Sequence, residues 1–260
     1  MRESDLATVI DLADAADRMT MARYGAADLQ VRDKPDRSPV TEVDTAVEEA
    51  LRRMLARACP ADGIIGEEYG GENRPGRVWV IDPVDGTKNF LRGNPVWATL
   101  IALVEDGVPT LGMVSAPALQ RRWWAARGRG AWTLDRGRVG RVRVSGVTRL
   151  ADAYLSTTSL GTWTRFHSRA AYLRLVDACW ENRAFGDFWQ HCLVAEGVVD
   201  LAAEPIVGFW DIAALKVLVE EAGGDFTDLS GRRDAGITSV LASNGRVHAA
   251  AMALLAPGTG

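Results

Sequence analysis

The apolar residues of this chain change their spacing at Pro60, and this change limits the possible folds. Before it, apolar residues recur every three or four positions in two segments, which predicts two amphipathic helices. The positions in question are Leu6, Val9, Ile10, Ala13 and Ala16, then Val43, Val47, Ala50, Leu51, Met54 and Leu55. After Pro60, short apolar runs separated by Gly, Pro, Asn or Asp predict strands at 63–66, 78–81, 98–104 and 111–114.

The next segments extend the predicted sheet and then change pattern again. QRRWWAARGRGAW (120–132) is typical of a hairpin turning near 127–130, and VGRVRVS (139–145) alternates like a half-exposed strand. From about residue 147, helical patterns alternate with strand-like runs, which favours an α/β arrangement. We therefore predict one compact catalytic unit of two halves, an α+β half at 1–146 and an α/β half at 147–260.

Composition argues against several classes of protein. Apolar residues make up 47% and charged residues 25%, as in ordinary globular proteins. The start, MRESDLATVI, lacks a signal-peptide pattern and the longest apolar run, 96–104, is too short for a membrane span, so we expect a cytoplasmic protein without membrane contacts. The three cysteines lack any C-x-x-C spacing and the three histidines are isolated, which disfavours disulfides and zinc. A net charge of -4 argues against nucleic acid as the main partner.

Acidic residues follow the predicted strands. In RVWVIDPVDGTKNFLR (77–92), an Asp-Gly turn accounts for Asp85, but Asp82 follows a buried strand directly and needs a partner such as a cation. Glu67 and Glu68 follow the short apolar run at 64–65, although a solvated acidic loop is the alternative. Asp211 precedes a predicted helix at 212–222, where an N-cap is the alternative. Together these acids predict an oxygen-ligand site suited to Mg²⁺.

Two further features lie near these acids. Gly86 permits close approach of the backbone to a ligand, and free N–H groups at the start of a short helix at 87–90 could hold a phosphate. The alternative is that Thr87 only caps that helix. Thr41 and Asp44 fit a capping box for the second helix.

Three motifs together resemble the inositol monophosphatase family of Mg²⁺-dependent phosphatases. They are GEE at 66–68, IDPVDGTKNF at 81–90 and WDIAALKVLVEEAGG at 210–224, and the resemblance extends over essentially the whole chain. It implies a layered α/β/α/β/α sandwich and a homodimer. It also implies two Mg²⁺ ions, with a third left open. The implied ligands are Glu67, Asp82 and the carbonyl of Val84 for one ion, and Asp82, Asp85 and Asp211 for the other.

The same resemblance implies the catalytic roles. Asp44 and Thr87, together with Glu67, would orient and activate a water for direct in-line attack, without a phosphoenzyme. The backbone N–H groups of Gly86 and Thr87 would hold the phosphate. Lys34 either lies near the site or is solvated.

The segment RAFGDFWQHCLVAEG (183–197) bears on the substrate. By the resemblance, Gly186, Asp187 and Glu204 face the leaving group, and two acids suit a cationic alcohol better than a neutral polyol. For Asp187 the alternative is a helix N-cap. The GDF motif, with PVWATLIALVEDGVP (95–109) and RRWWAARGRGAW, resembles the actinobacterial histidinol-phosphate phosphatases of this family, so histidinol phosphate is the expected substrate. Three aromatic residues either stack on its imidazole or belong to the core: Trp163, Phe188 and Trp189.

Three alternative functions stay open at this point. The same chemistry could serve inositol monophosphate or another small sugar or nucleotide phosphate. A noncatalytic Mg²⁺ or anion-binding module is disfavoured, because such a module has no need of a water activator. A nucleic-acid binder using the hairpin at 120–132 is disfavoured by the acidic balance.

Overall fold

The computed structural model describes residues 2–35, 39–71, 75–234 and 236–256. The helices in these residues are α1 Glu3–Arg23, α2 Glu42–Ala58, α3 Thr87–Leu91, α4 Leu160–Phe166, α5 Arg169–Ala178, α6 Asp187–Ala195, α7 Phe209–Glu221 and α8 His248–Leu255. The strands are β1 Val31–Asp33, β2 Pro39–Thr41, β3 Gly63–Gly66, β4 Arg77–Asp85, β5 Ala98–Glu105, β6 Val108–Ala116, β7 Arg121–Ala126, β8 Gly130–Asp135, β9 Arg138–Val142, β10 Tyr154–Ser156, β11 Glu181–Arg183, β12 Leu201–Glu204, β13 Asp225–Thr227 and β14 Val240–Ser243.

The strands form two main sheets and one small hairpin. Strands β3 to β9 pair in chain order in a seven-stranded sheet, in which only the β3–β4 pair is parallel within the described residues. The five-stranded sheet has the order β11-β10-β12-β14-β13 and is mixed. Strands β1 and β2 form the hairpin.

Successive side chains of strand β4 point to opposite faces of the sheet and so belong to two different parts of the core. Val78 and Val80 belong to the cluster built with α6 and α7, whereas Trp79 and Ile81 pack with α1 and α2 on the opposite face. Because both faces are covered, the strand is apolar at every one of these positions.

The layers run α1 and α2, seven-stranded sheet, α6 and α7, five-stranded sheet, and finally α4, α5 and α8. Helix α7 lies between the sheets and buries the whole stretch 212–219. A helix enclosed on both sides needs no polar face, which explains its nearly continuous apolar sequence. The predicted α/β/α/β/α sandwich is confirmed.

The sequence predicted most elements near their observed positions, with three differences. Ile10 was expected on the buried face of α1 but is 39% exposed. Strand β4 does not end at Asp82 but runs on to Asp85. Helix α7 begins two residues before Asp211, with Gly208 as its N-cap, so Asp211 is not the cap. Short elements such as β11, β13 and α4 carry too few residues for a periodic signal.

The two sheets fall on either side of residue 146, between β9 and β10. Helices α6 and α7 from the later part pack on both sheets. The division into halves at 1–146 and 147–260 stays a prediction.

The arginine-rich hairpin is confirmed as β7 and β8. The two arginines of β7 are engaged within the fold, since Arg122 lies 2.6 Å from Asp14 and Arg121 forms an ion pair with Glu196. None of the described helices combines the length and apolar character needed to cross a bilayer.

Candidate active site

Three of the predicted acids meet at one point. One carboxylate oxygen each from Asp82, Asp85 and Asp211 lies within 4.8 Å of the others. Asp82 continues the face of β4 that points toward α6 and α7. Asp211 occupies the first turn of α7, and its carboxylate accepts the Gly208 N–H at 2.7 Å. The start of α7 thus places the Asp211 carboxylate beside the acids of β4.

A β-bulge brings the two acids of β4 to the same face. In a regular strand, residues three apart point to opposite faces. Here Asp82 pairs with Leu100 and Asp85 with Ala98, so β4 contains one residue more than β5 between these pairs. Pro83 lacks an N–H for the ladder.

Side-chain contacts hold this bulge. The Val84 N–H donates to Asp82 Oδ1 at 3.0 Å. The Thr99 hydroxyl on β5 donates to the Pro83 carbonyl at 2.8 Å. The bulge is thus fixed from its own strand and from the neighbouring one.

The acids raise one another's pKa. Burial, followed by the charges of Glu67, Asp85 and Asp211, raises the pKa of Asp82 well above its usual value. Burial and then the charge of Asp187 do the same to the pKa of Asp85. Burial and nearby acids raise the pKa of Asp211 to about 7. Such a cluster of buried oxygens fits a divalent cation, which would neutralise it.

Glu67 lies beside this cluster and is paired with Lys34. Its N–H donates to the Ile81 carbonyl at 3.1 Å, which seats it next to β4. Lys34 Nζ lies 2.6 Å from Glu67 Oε1 and 2.7 Å from Glu68 Oε1. Partial burial lowers the pKa of Lys34, but its bonds to both acids outweigh this and raise it. Lys34 therefore lies at the site.

Asp44 serves the helix and the site at the same time. Its Oδ2 accepts the Thr41 N–H at 2.9 Å, which confirms the capping box. Its Oδ1 lies 3.2 Å from Thr87 Oγ1, which is also 3.0 Å from the Val84 carbonyl. Burial raises the pKa of Asp44, although its bonds from Thr41 oppose this. Capping and contact with Thr87 are therefore compatible.

The N-cap of α3 is Gly86, not Thr87. Gly86 has a φ of 85°, and a Cβ there would lie 3.0 Å from the Val96 carbonyl and 3.5 Å from Asp187 Oδ2. Only glycine fits this crowded left-handed position. The Thr87 hydroxyl is thereby free of a capping role and faces Asp44.

Asp187 lies across the cleft from this turn. It is the first residue of α6, not its cap, and has a φ of 44°, which is strained for a residue with a side chain. Its Oδ2 accepts from Asn89 Nδ2 at 3.1 Å, and its N–H donates to Thr158 Oγ1 at 2.9 Å. The next N–H, of Phe188, donates to Asp85 Oδ2 at 2.5 Å. The first turn of α6 therefore carries Asp187 and also binds Asp85.

Glu204 lies deeper in the same region. Its Oε1 accepts from the Thr158 N–H and from Gln190 Nε2, each at 2.5 Å. Burial raises the pKa of Glu204 to about 7. Thr158, Gln190 and Asn89 were not predicted from the sequence. Thr158 lies in no motif, and although Gln190 and Asn89 lie in the segments 183–197 and 81–90, the sequence does not indicate which residues they contact.

Two adjoining cavities contain these groups. A cleft of about 540 Å³ is lined by Glu67, Gly86 and Thr87, and a smaller pocket of about 150 Å³ by Phe188, Gln190 and Glu204. Thr158, Gly186 and Asp187 lie around the junction, and Thr158 and Asp187 line both cavities.

Of the three aromatic candidates, only Phe188 lines a described cavity of this site. Trp163 is buried in the layer beyond the five-stranded sheet and donates to Thr157 Oγ1 at 2.9 Å. Trp189 packs edge-on against Trp123 at 5.8 Å between ring centroids. The structure therefore places the two tryptophans as packing residues.

The family model of the inositol monophosphatase family matches residues 1–258. The chain belongs to this family. A histidinol-phosphatase of Mycobacterium tuberculosis is 54% identical over 250 residues, covering 95% of this chain and 96% of the relative. A histidinol-phosphatase of Streptomyces coelicolor is 50% identical over 252 residues, covering 94% of each. A solved IMPase of Thermotoga maritima has a TM-score of 0.86 at 31% identity, covering 97% of this chain and 96% of its own.

Membership of the inositol monophosphatase family makes this chain a metal-dependent phosphatase acting on a small phosphate ester. The structure agrees with that chemistry, because Asp85 and Asp211 of the acid cluster line the small pocket, which adjoins the cleft beside the Gly86 turn. Family members share the layered architecture found here.

His191, in the wall of the small pocket, should make the fold sensitive to acid. Burial lowers the pKa of His191 to about 3, whereas the unfolded chain protonates it near 6.5. A lowered folded-state pKa gives stability that is present above pH 6.5 and is lost as the pH falls below it. Between pH 7 and pH 4.5 we expect a loss of about 2–3 kcal/mol from this group.

Urea unfolding of the wild type and His191→Gln at both pH values measures this loss. The variant should lose less stability between the two pH values than the wild type. Equal losses would show that His191 does not carry the effect.

Proposed function

We propose that this chain is a Mg²⁺-dependent phosphatase that hydrolyses L-histidinol phosphate to L-histidinol and phosphate, a step of histidine biosynthesis. The observation that carries the proposal is the pair Asp187 and Glu204 in the pocket adjoining the acid cluster. Two acids facing the leaving group favour an alcohol that carries an ammonium and an imidazole. The two actinobacterial relatives named histidinol-phosphatase support the same substrate.

Two Mg²⁺ ions are proposed, held by oxygen atoms around the β4 bulge. The ligands would be Glu67, Asp82 and the Val84 carbonyl for one ion, and Asp82, Asp85 and Asp211 for the other. When bound, these ions supply positive charge against the phosphate and lower the pKa of nearby water. A third ion beside Glu67 would have to displace Lys34, which occupies that carboxylate here.

Asp44 and Thr87 prepare the attacking water in this proposal. As the water oxygen bonds to phosphorus, the bond from phosphorus to the alcohol oxygen breaks. The water proton passes to Thr87 Oγ1, whose own hydrogen moves to Asp44 Oδ1, 3.2 Å away. The departing alcohol oxygen takes a proton from solvent. Because burial raises the pKa of Asp44, its carboxylate is a stronger base than an exposed one. The N–H groups of Gly86 and Thr87 hold the phosphate during transfer.

The test is phosphate release with Mg²⁺ from three esters side by side: histidinol phosphate, inositol 1-phosphate and fructose 1,6-bisphosphate. We expect the highest kcat/KM for histidinol phosphate. A higher kcat/KM for either of the other esters would show that the enzyme is a phosphatase with a different substrate. No release from any ester would instead favour a noncatalytic Mg²⁺ or anion-binding module.

Cation binding should stabilise the fold, because it relieves repulsion among Asp82, Asp85 and Asp211. At a Mg²⁺ concentration of about 100 times Kd, the gain is about 2.7 kcal/mol, or roughly 5–10 °C in Tm for a chain of this size. Thermal unfolding of EDTA-treated protein with and without MgCl₂ measures it. NaCl at matched ionic strength is the control, and equal Tm values in the two salts would contradict a specific site.

We further propose a homodimer in a reducing, cytoplasmic compartment. All three cysteines are free thiols, which suits such a compartment. Trp180 is 68% exposed beside edge strand β11, and exposed aromatic surface favours an interface. Sedimentation should give twice the chain mass of 28.1 kDa, and a monomer at micromolar concentration would contradict the dimer.

A further inference from the structure

The small pocket is lined by a buried side-chain amide, that of Gln190, whose nitrogen forms hydrogen bonds and whose oxygen forms none among the described residues. Gln190 on α6 is 0% exposed and lines the pocket, yet its Oε1 has no hydrogen-bond partner among the described residues. A buried polar atom left without a partner costs about 1–3 kcal/mol. Such an atom in the wall of a binding pocket indicates a ligand that brings a donor.

The orientation of this amide follows from its neighbour. Gln190 Nε2 lies 2.5 Å from Glu204 Oε1 and 3.4 Å from Thr158 Oγ1. With the amide turned over, its oxygen would face the carboxylate, and two acceptors at that distance repel. The N–H end therefore belongs to Glu204, and the oxygen end is left for another partner.

Glu204 is held at one oxygen only. Both of its donors, the Thr158 N–H and Gln190 Nε2, reach Oε1, and Oε2 accepts no hydrogen bond within the described residues. Glu204 lines the same pocket as Gln190, so this second acceptor is available to a ligand there. Both residues thus offer an acceptor to a pocket whose other walls include apolar side chains and two acids of the cluster, namely Phe188, Val207, Ile212, Asp85 and Asp211.

We propose that Gln190 determines specificity for a leaving group whose far end carries N–H donors on a cationic or heteroaromatic amine. Nε2 fixes Glu204, and Oε1 accepts one donor of that group while Glu204 Oε2 accepts another. This inference rests on the proposed function and deepens it. Asp187, at the mouth of the pocket, lies near the phosphate turn, whereas Gln190 and Glu204 recognise the opposite end of the alcohol.

Gln190→Met tests the assignment, since methionine keeps the length of the side chain and removes both amide contacts. We expect KM for histidinol phosphate to rise about 10- to 100-fold, the loss of one or two hydrogen bonds to a charged group, with kcat changed by less than about threefold. KM for p-nitrophenyl phosphate, which has no such donors, should stay unchanged. Leu193→Met, on the same helix but outside the pocket lining, is the matched control.

A double-mutant cycle with Glu204→Gln separates recognition from packing. If Gln190 acts with Glu204, the two changes together raise KM by less than the product of their separate effects. If Gln190→Met fails to fold, Gln190→Asn, which retains an amide but withdraws it by one methylene, takes its place.

The outcomes separate the two proposals. Equal losses on both substrates, or an unchanged KM for histidinol phosphate, overturn the role of Gln190. A wild-type enzyme without preference for histidinol phosphate overturns the proposed function, and the role of Gln190 with it.

Discussion

Asp82→Asn should abolish phosphate release and remove the stabilisation by Mg²⁺ together. Asp82 is the acid placed to serve both proposed ions, and it lies at the centre of the carboxylates that raise one another's pKa. The substitution keeps the shape of the side chain and the acceptor for the Val84 N–H but removes a full charge. Loss of a preorganised electrostatic contact commonly lowers kcat by 10²- to 10³-fold, and we expect at least roughly a thousandfold here.

Phosphate release and the Mg²⁺-dependent shift of Tm are measured on the same preparation. Without Mg²⁺, the variant should be at least as stable as the wild type, because it lacks one of the repelling charges. Asp106→Asn, in the turn between β5 and β6 and remote from the acid cluster, is the matched control and should leave both readouts unchanged. Near-normal activity of Asp82→Asn would refute the two-ion assignment.

The second large effect is expected at Asp187. Its φ of 44° would add backbone strain to an alanine variant, whereas asparagine tolerates this conformation, so Asp187→Asn isolates the charge. We expect KM for histidinol phosphate to rise about 10- to 100-fold, as for loss of one charge-assisted hydrogen bond. Hydrolysis of a neutral alcohol ester such as glycerol 2-phosphate should be spared.

Steady-state kinetics on both esters measures this difference. Asp187→Ala is the companion variant, in which added strain should lower activity on both substrates as well as raise KM. If Asp187→Asn loses activity equally on the two esters, Asp187 supports the site and does not recognise the substrate.

The acids themselves could be predicted because each lies next to an apolar run that is typical of a strand or a helix, and three such segments together suggested a cation. The sequence also predicted the capping box at Asp44, although not that its two oxygens serve separate partners. The bulge was missed, since it depends on how β4 pairs with β5. Pro83, inside a central strand, was the one signal for it.

The residues behind the leaving group were harder to foresee. Thr158 belongs to no motif, Gln190 was part of the segment 183–197 without a role of its own, and their contacts join positions 14 to 46 apart. Gln190 lies among apolar neighbours on a helix packed between two sheets, and the sequence does not show which residue its amide contacts there. Only the three-dimensional structure shows that its partner is Glu204.

The bulge in β4 also bears on how this chemistry could be transplanted. Copying the sequence from Asp82 to Thr87 into another strand would carry the acids but not their common orientation. That orientation depends on the pairing offset with β5 and on the Thr99 bond to Pro83. A designer would have to move two adjacent strands as one unit, so the smallest portable form of this site is a sheet fragment, not a peptide motif.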